Sequence, residues 1–321
     1  MKVYRGMDAN FEPFHLPAVT VGNFDGVHRG HQALFQKTVQ LAESRRGDAV
    51  AVTFEPHPMK VLRPANPPKL ICDLEHKCEL ISRAGISALI VIPFTRDFAA
   101  RTADEFVKGF LFGTLGMRDL VVGYDYACGK DRQGNIPYLI AAGRELGFGV
   151  HVVPPITIDG MVASSTKVRE LVSAGRMRDV ARLLGRYYQI RGVVQEGKRR
   201  GGPVIGFPTA NLHLDEEELV PRSGVYVVQV IHESRCYGGV LNIGRNPTFE
   251  DDEMLRAEAH IFDFNRDIYG DPIKINLLER IREERRFPGP GELARQIAED
   301  IEGAKKILSS EADLERACLE A

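Results

Sequence analysis

The sequence has no excess of charge of either sign. Its 42 basic residues stand against 44 acidic ones, a formal net charge of −2, which removes the electrostatic case for nucleic acid or a membrane surface as partner. No apolar run approaches the length of a membrane-crossing helix, and the start lacks the basic-then-apolar pattern of a secretory leader. Cysteine is scarce. Cys72, Cys78, Cys128, Cys236 and Cys318 are odd in number and contain no Cys-x-x-Cys pair, so they read as reduced thiols in a cytoplasmic protein. Cys72, His76 and Cys78 lie close together, but a zinc site normally needs four spaced ligands and no matching second pair follows. Internal repeats and low-complexity segments are also lacking.

At 321 residues, the length favours two domains, each with its own core. The halves follow different patterns. From Ala18 to about Val153, β-branched runs (Ala18–Val21, Ala49–Phe54, Ala88–Ile92, Leu120–Val122, Val150–Val153) alternate with helix-like stretches near Gln32–Ser44, Leu74–Arg83, Ala103–Phe112 and Leu139–Leu146. That alternation predicts a parallel sheet covered by helices, a Rossmann-like α/β domain. Two short helices, Val168–Ala174 and Met177–Leu184, follow as an appendix. After Gly185 the runs Tyr188–Gln195, Val225–Ile231, Tyr237–Leu241, Ala257–Phe264 and Ile273–Leu278 read as strands, and Glu292–Leu308 as one closing helix. The second half is therefore expected to be a small antiparallel β-barrel with a C-terminal helix. The domains divide as 1–185 and 186–321.

In the first half, Val19-Thr20-Val21-Gly22-Asn23-Phe24-Asp25-Gly26-Val27-His28-Arg29-Gly30-His31 reads as strand, glycine-punctuated loop and helix start. His28 and His31, three residues apart, project from one end of the helix. The unpaired N–H groups and dipole there favour an anion, and two imidazoles suit a polyphosphate. Gly22, Gly26 and Gly30 would let the backbone come close to it. Either histidine alone reads more readily as a cap or a solvent-facing residue than as a phosphate ligand. Ser164-Ser165-Thr166-Lys167-Val168-Arg169 sets three hydroxyls and two cations at an expected helix start: an N-cap with solvated charges, or a phosphate clamp. Phe54-Glu55-Pro56-His57-Pro58 is a proline-stiffened loop whose His57 either borders a substrate or belongs to a plain turn. Gly123 to Gly129 does not match a P-loop, since the spacing is one residue too long and Asp131 follows Lys130.

In the second half, Gly201-Gly202-Pro203-Val204-Ile205-Gly206-Phe207-Pro208-Thr209-Ala210-Asn211-Leu212 sets glycines before a rigid Phe-Pro. Gly202 and Gly206 suit a backbone flap over phosphates, and Thr209 and Asn211 offer neutral oxygens to a hard cation such as Mg²⁺. A surface loop with an Asx turn is the plainer alternative. Alternation along Ala257-Glu258-Ala259-His260 puts Glu258 and His260 on one face of a strand. Arg199 and Arg200 read either as phosphate contacts or as a solvated pair.

Taken together these strings resemble the bacterial bifunctional riboflavin kinase/FAD synthetase family. Gly-x-Phe-Asp-Gly-x-His-x-Gly-His at 22–31 is similar to its adenylyltransferase signature, and Ser164–Arg169 resembles its Ser-Ser-Thr-x-Ile-Arg motif. Gly-Phe-Pro-Thr-Ala-Asn-Leu at 206–212 resembles the riboflavin kinase hallmark, and 239–244, 246–249 and 257–264 continue the likeness. The resemblance implies ATP-dependent phosphorylation of riboflavin to FMN, then adenylylation of FMN by a second ATP to FAD with release of pyrophosphate. It implies Mg²⁺ beside Thr209 and Asn211, with ATP as co-substrate. Glu258 would be the kinase base, and His28, His31 and Arg169 the catalytic groups of adenylylation. Gly22, Asn23, Phe24, Asp25, Gly26, Gly30, Ser164, Ser165, Thr166, Gly202 and Gly206 would bind ATP or phosphate. His57, Asp125 and Asn242 would border flavin. One departure stands out: Gly123-Tyr124-Asp125-Tyr126-Ala127-Cys128-Gly129 carries Cys128 where the family has a second aromatic. The partners expected are riboflavin, FMN, FAD and ATP, with no nucleic acid or membrane, for a cytoplasmic monomer or weak homo-oligomer.

Overall fold

The structure is a computed structural model that describes residues 1–8, 10–195, 207–214, 217–245 and 255–310. The expectations for Arg199, Arg200, Gly202, Gly206 and 246–249 lie outside the described residues. The chain divides into two compact units, Met1–Ser165 and Thr166–Ala321.

The first unit is built on six strands: β1 (Lys2–Arg5), β2 (Ala18–Val21), β3 (Ala49–Glu55), β4 (Ala88–Pro93), β5 (Asp119–Gly123) and β6 (Gly149–Val153). They form one sheet in the order β1-β4-β3-β2-β5-β6, every pair parallel. Because side chains alternate across a strand, its two faces enter two cores. Val19, Val21, Val50, Val52, Ile90 and Val122 pack under α5 (Ile136–Leu146) and a π-helical segment, Glu105–Thr114. Ala18, Ala51, Leu89, Val91 and Val121 pack under α1 (Arg29–Ser44) and α3 (Leu74–Arg83). Central strands buried on both faces explain the unbroken apolar runs in the sequence. Two short helices, α2 (Pro58–Leu62) and α4 (Arg96–Ala99), and a small hairpin of β7 (Thr157–Ile158) and β8 (Met161–Val162) complete the unit.

The second unit opens with α6 (Ser165–Ser173, whose first residue belongs to the first unit) and α7 (Met177–Leu184). A closed barrel follows: β9 (Tyr188–Gln195), β10 (Ala210–His213), β11 (Gly224–His232), β12 (Arg235–Arg245), β13 (Leu255–Ile261) and β14 (Pro272–Arg282), in the order β10-β13-β12-β11-β14-β9. Closure leaves no unpaired edge. The last helix, α8 (Pro290–Ser310), lays Ile301, Ala304 and Leu308 on Val225, Val227, Val240, Phe262 and Leu278. Strand β11 is thus buried on both faces and shows little alternation. Among the described residues, no helix is long and apolar enough to cross a membrane. Cys72, Cys78 and Cys128 are reduced, whereas Cys236 is disulfide-bonded, which corrects the expectation of a wholly reduced set.

Candidate active sites

In the first unit, β2 ends against a loop that closes on α1. His28 is the N-cap of that helix, and its Nδ1 accepts the Gly30 N–H at 3.1 Å. Its ring proton therefore sits on Nε2. The His28 and His31 rings stack with centroids 3.6 Å apart, and Phe24 meets His31 edge-on at 5.4 Å. Burial, then the neighbouring His28 and Lys77, hold His31 well below the ordinary imidazole range. His31 is neutral at pH 7, and its buried Nδ1 has no hydrogen-bond partner among the described residues. Two imidazoles and a helix start thus converge on one point, an arrangement that can accept phosphoryl oxygens.

Other residues of this loop hold it in shape. Phe24 is fully buried and stacks obliquely on Phe35 at 4.7 Å. The buried Asp25 carboxylate accepts the N–H groups of Ile71 (3.0 Å) and Cys72 (3.4 Å), and Gly26 N–H donates to Cys72 Sγ. Ser165 Oγ donates to the Asp25 carbonyl at 2.9 Å, and Thr53 Oγ1 to that of Asn23. Gly26 has φ +79°, and a Cβ there would lie 2.6 Å from Ile71. At Gly22 and Gly30 a Cβ would meet the Phe24 and His28 rings at 2.7 and 3.0 Å, so the loop's own packing requires these glycines. Ser164 stands just before α6, while Thr166 and Arg169 lie on it; Lys167 on the same helix pairs with Glu170 at 2.7 Å.

A cavity of about 570 Å³ opens beside Gly22 and Asn23. Phe54, Phe94 and Phe98 line it and pack on one another at 5.5–5.6 Å. Asp125, Lys130 and Arg132 stand in its wall as well. His57 does not line it; its Nδ1 caps α2 by accepting the Met59 N–H, and Pro58 and Met59 supply the wall. Cys128 lies in the wall, with its Sγ donating to the Gly134 carbonyl at 3.6 Å. Burial pushes its thiol up to about 11, so it presents a neutral thiol. Phe94 and Phe98 carry no motif signal in the sequence, whereas Phe54 stands in the same segment as His57.

In the second unit, strand register assembles the site. Asn211 pairs with Glu258, Glu258 with Asn242, Asn242 with Val225, and Val225 with Arg282. Directly paired residues share a face of the sheet, so this row runs across five strands. Glu258, Asn242, Val225 and Arg282 of this row line a cavity of about 840 Å³, without Asn211, and α8 helps to line it with Leu293 and Ile297. Burial chiefly raises the Glu258 carboxyl above its ordinary range; Arg256 opposes this and Glu284 reinforces it. His260 Nδ1 lies 2.8 Å from the Pro208 carbonyl, which fixes the proton on that nitrogen, and Phe207 meets the ring edge-on. Arg282 grips Asp300 of α8 through Nε and Nη2 at 2.7–3.0 Å. A second cavity, of about 300 Å³, shares Thr209 and is lined further by Ala259, Phe264, Asp267 and Tyr269. Thr209 therefore stands between two chambers, two residues from Asn211. No group of three or more His, Cys, Asp or Glu suited to a metal occurs among the described residues, so a cation here would rest on neutral oxygens and on its ligand.

Comparison with known proteins agrees with this division. Residues 14–167 match the FAD synthetase family and residues 184–308 the riboflavin kinase family. Proteins described as bifunctional riboflavin kinase/FMN adenylyltransferase are similar over nearly their full length. That of Haemophilus influenzae is 34% identical over 97% of this chain and 100% of its own. That of Bacillus subtilis is 36% identical over 91% and 92%, and that of Escherichia coli K12 is 35% identical over 94% and 96%. A solved Streptococcus pneumoniae structure described as a macrolide-efflux protein superposes with a TM-score of 0.86 at 32% identity, covering 95% of this chain and 99% of that one.

Proposed function

The chain belongs to the bifunctional riboflavin kinase/FMN adenylyltransferase family, and from that premise we propose how its residues divide the two reactions. The enzyme phosphorylates riboflavin with ATP to FMN and adenylylates FMN to FAD with release of pyrophosphate. We assign adenylylation to 1–185 and phosphorylation to 186–321. The family matches end at 167 and resume at 184, which leaves α6 and α7 as the connector.

In the kinase half, Glu258 is the general base. The observation that carries this is its place in the paired row: a carboxylate raised by burial, at the wall of a largely apolar cavity wide enough for a flavin ring. Glu258 takes the proton of the riboflavin 5′-hydroxyl as that oxygen attacks the γ-phosphorus of ATP. Asn242 borders the flavin, and the smaller chamber across Thr209 receives ATP. The hydroxyl of Thr209, just before β10, and the amide oxygen of Asn211, on it, are hard neutral donors two residues apart, a set that fits Mg²⁺ already carried by ATP phosphates. When bound, Mg²⁺ offsets the charge on those phosphates.

In the adenylyltransferase half, His28 and His31 donate to the ATP phosphates at the start of α1, with Arg169 and the hydroxyls of Ser164, Ser165 and Thr166 as further donors. Gly22, Asn23, Gly26 and Gly30 shape the bed, while Phe24 and Asp25 serve by holding it. The phenylalanine-lined cavity takes the flavin ring, beside Asp125 and the thiol of Cys128. His57 acts by fixing that loop. Near-balanced charge supports a chain that binds neither nucleic acid nor membrane, and we propose a cytoplasmic monomer or weak homo-oligomer.

Two variants test the division. Glu258→Gln should abolish FMN formation from riboflavin yet make FAD from supplied FMN. His28→Ala should do the reverse. Loss of both products in either variant, with the protein folded, would count against separate sites.

A further inference from the structure

The inward stripe of α3 runs through Lys77, Leu80 and Ile81, spaced three and four apart. Leu80 and Ile81 join the core formed with Phe24, Val27, Leu34 and Phe35. Lys77 takes the next place in that stripe, toward the end of α3 that Ile71 and Cys72 fasten to Asp25 of the histidine loop. Only 3% of it is exposed, yet its side chain makes no hydrogen bond or ion pair among the described residues. Its nitrogen is not among the sealed polar atoms without a partner, so the stem is buried while the ammonium still opens on solvent. Its charge is felt at His31, whose buried Nδ1 also lacks a partner.

This placement has a local cost: a cation near the start of a helix opposes the helix dipole, and among the described residues no carboxylate pairs with the ammonium. Nothing in the apolar stripe requires a charge; methionine would fill the same slot. An anion arriving at the histidine loop would supply the missing partner of both Lys77 and His31.

We propose that Lys77 is a further phosphate-binding residue of the adenylyl-transfer site, paired with the β- and γ-phosphates of ATP. The proposal rests on the reading of His28 and His31 given above. During transfer, an FMN phosphate oxygen bonds to the α-phosphorus as the bond from that phosphorus to the α,β-bridging oxygen breaks. The electron pair of that bond stays on the departing pyrophosphate, and Lys77 offsets the charge gathered there.

The test uses the full chain with Lys77→Met and Lys77→Arg, following FAD from FMN, FMN from riboflavin, and the thermal midpoint with and without pyrophosphate. Lys77→Met should lower kcat/KM for FAD formation on the order of 100-fold, the loss typical of one charge-stabilising donor. It should leave FMN formation unchanged and should not lower the midpoint without ligand, yet lose the upward shift that pyrophosphate gives the parent. Lys77→Arg should restore part of both. A methionine variant that makes FAD at the parental rate and keeps the pyrophosphate shift overturns the proposal. So does an arginine variant that is folded but no better than methionine. A parent chain that makes no FAD from FMN would instead overturn the underlying reading of the site.

Discussion

Glu258 shows how one side chain is set by its surroundings. Burial favours its neutral form, Arg256 favours the ionised form, and Glu284 disfavours it. In the proposed role of general base it must be ionised, so kinase activity should fall as pH drops through its raised pKa, above the usual carboxylate range. Glu284→Gln should move that acid limb to lower pH, and Arg256→Ala should move it higher; pH–rate profiles of FMN formation would show either shift. The linkage to stability has the opposite sense. A carboxyl raised in the fold contributes stability below its unfolded pKa, and that contribution is lost as pH rises through the folded value. Glu258→Gln should therefore melt above the parent at neutral pH, with the gap closing in acid. Period-two alternation put Glu258 and His260 on one strand face, but only the family resemblance singled out Glu258; alone it reads as a solvent-facing strand glutamate. Lys77 was not legible, because a lysine in a helix stripe reads as solvated until its burial is seen. Phe24 and Asp25 stand inside a phosphate-like motif, but their side chains serve the loop's packing.

At the scale of elements, two tethers hold the sites. Asp25 joins the histidine loop to the residues before α3, and Asp25→Ala leaves two buried N–H groups unpaired. That should cost about 1–3 kcal/mol and lower FAD formation while FMN formation persists, as calorimetry and product assays would show. Asp300 joins α8 to β14 through Arg282, at the wall of the larger barrel cavity. Asp300→Ala should cost about 2 kcal/mol, since Arg282 keeps some access to water, and should raise KM for riboflavin more than KM for ATP. The strongly periodic elements were readable: β2, α3, α7 and β9 run as the pattern predicts. Short or polar ones were not. Lys2–Arg5 is a mostly exposed edge strand, and Ala210–His213 was hidden inside the hallmark loop. The helix expected near Ala103–Phe112 is π-helical over Glu105–Thr114, a choice of hydrogen bond that apolar spacing does not encode.

For the whole molecule, the change from alternating strand–helix to successive strands marked two folds, because parallel and antiparallel sheets need different connections. What the sequence could not provide was the assembly of each site. The row from Asn211 through Glu258 and Asn242 to Arg282 exists only once five strands are in register. The two chambers meeting at Thr209 likewise depend on barrel closure. Separate sites also predict complementation: chains carrying Glu258→Gln mixed with chains carrying His28→Ala should convert riboflavin to FAD, with FMN passing through solution.

One chain carrying both reactions at two sites should show them in order. In a chromatographic time course of the purified full chain with riboflavin, ATP and Mg²⁺, FMN should appear first and FAD should follow at its expense. FMN that accumulates without FAD, or neither product from a folded chain, would contradict the presence of two working sites.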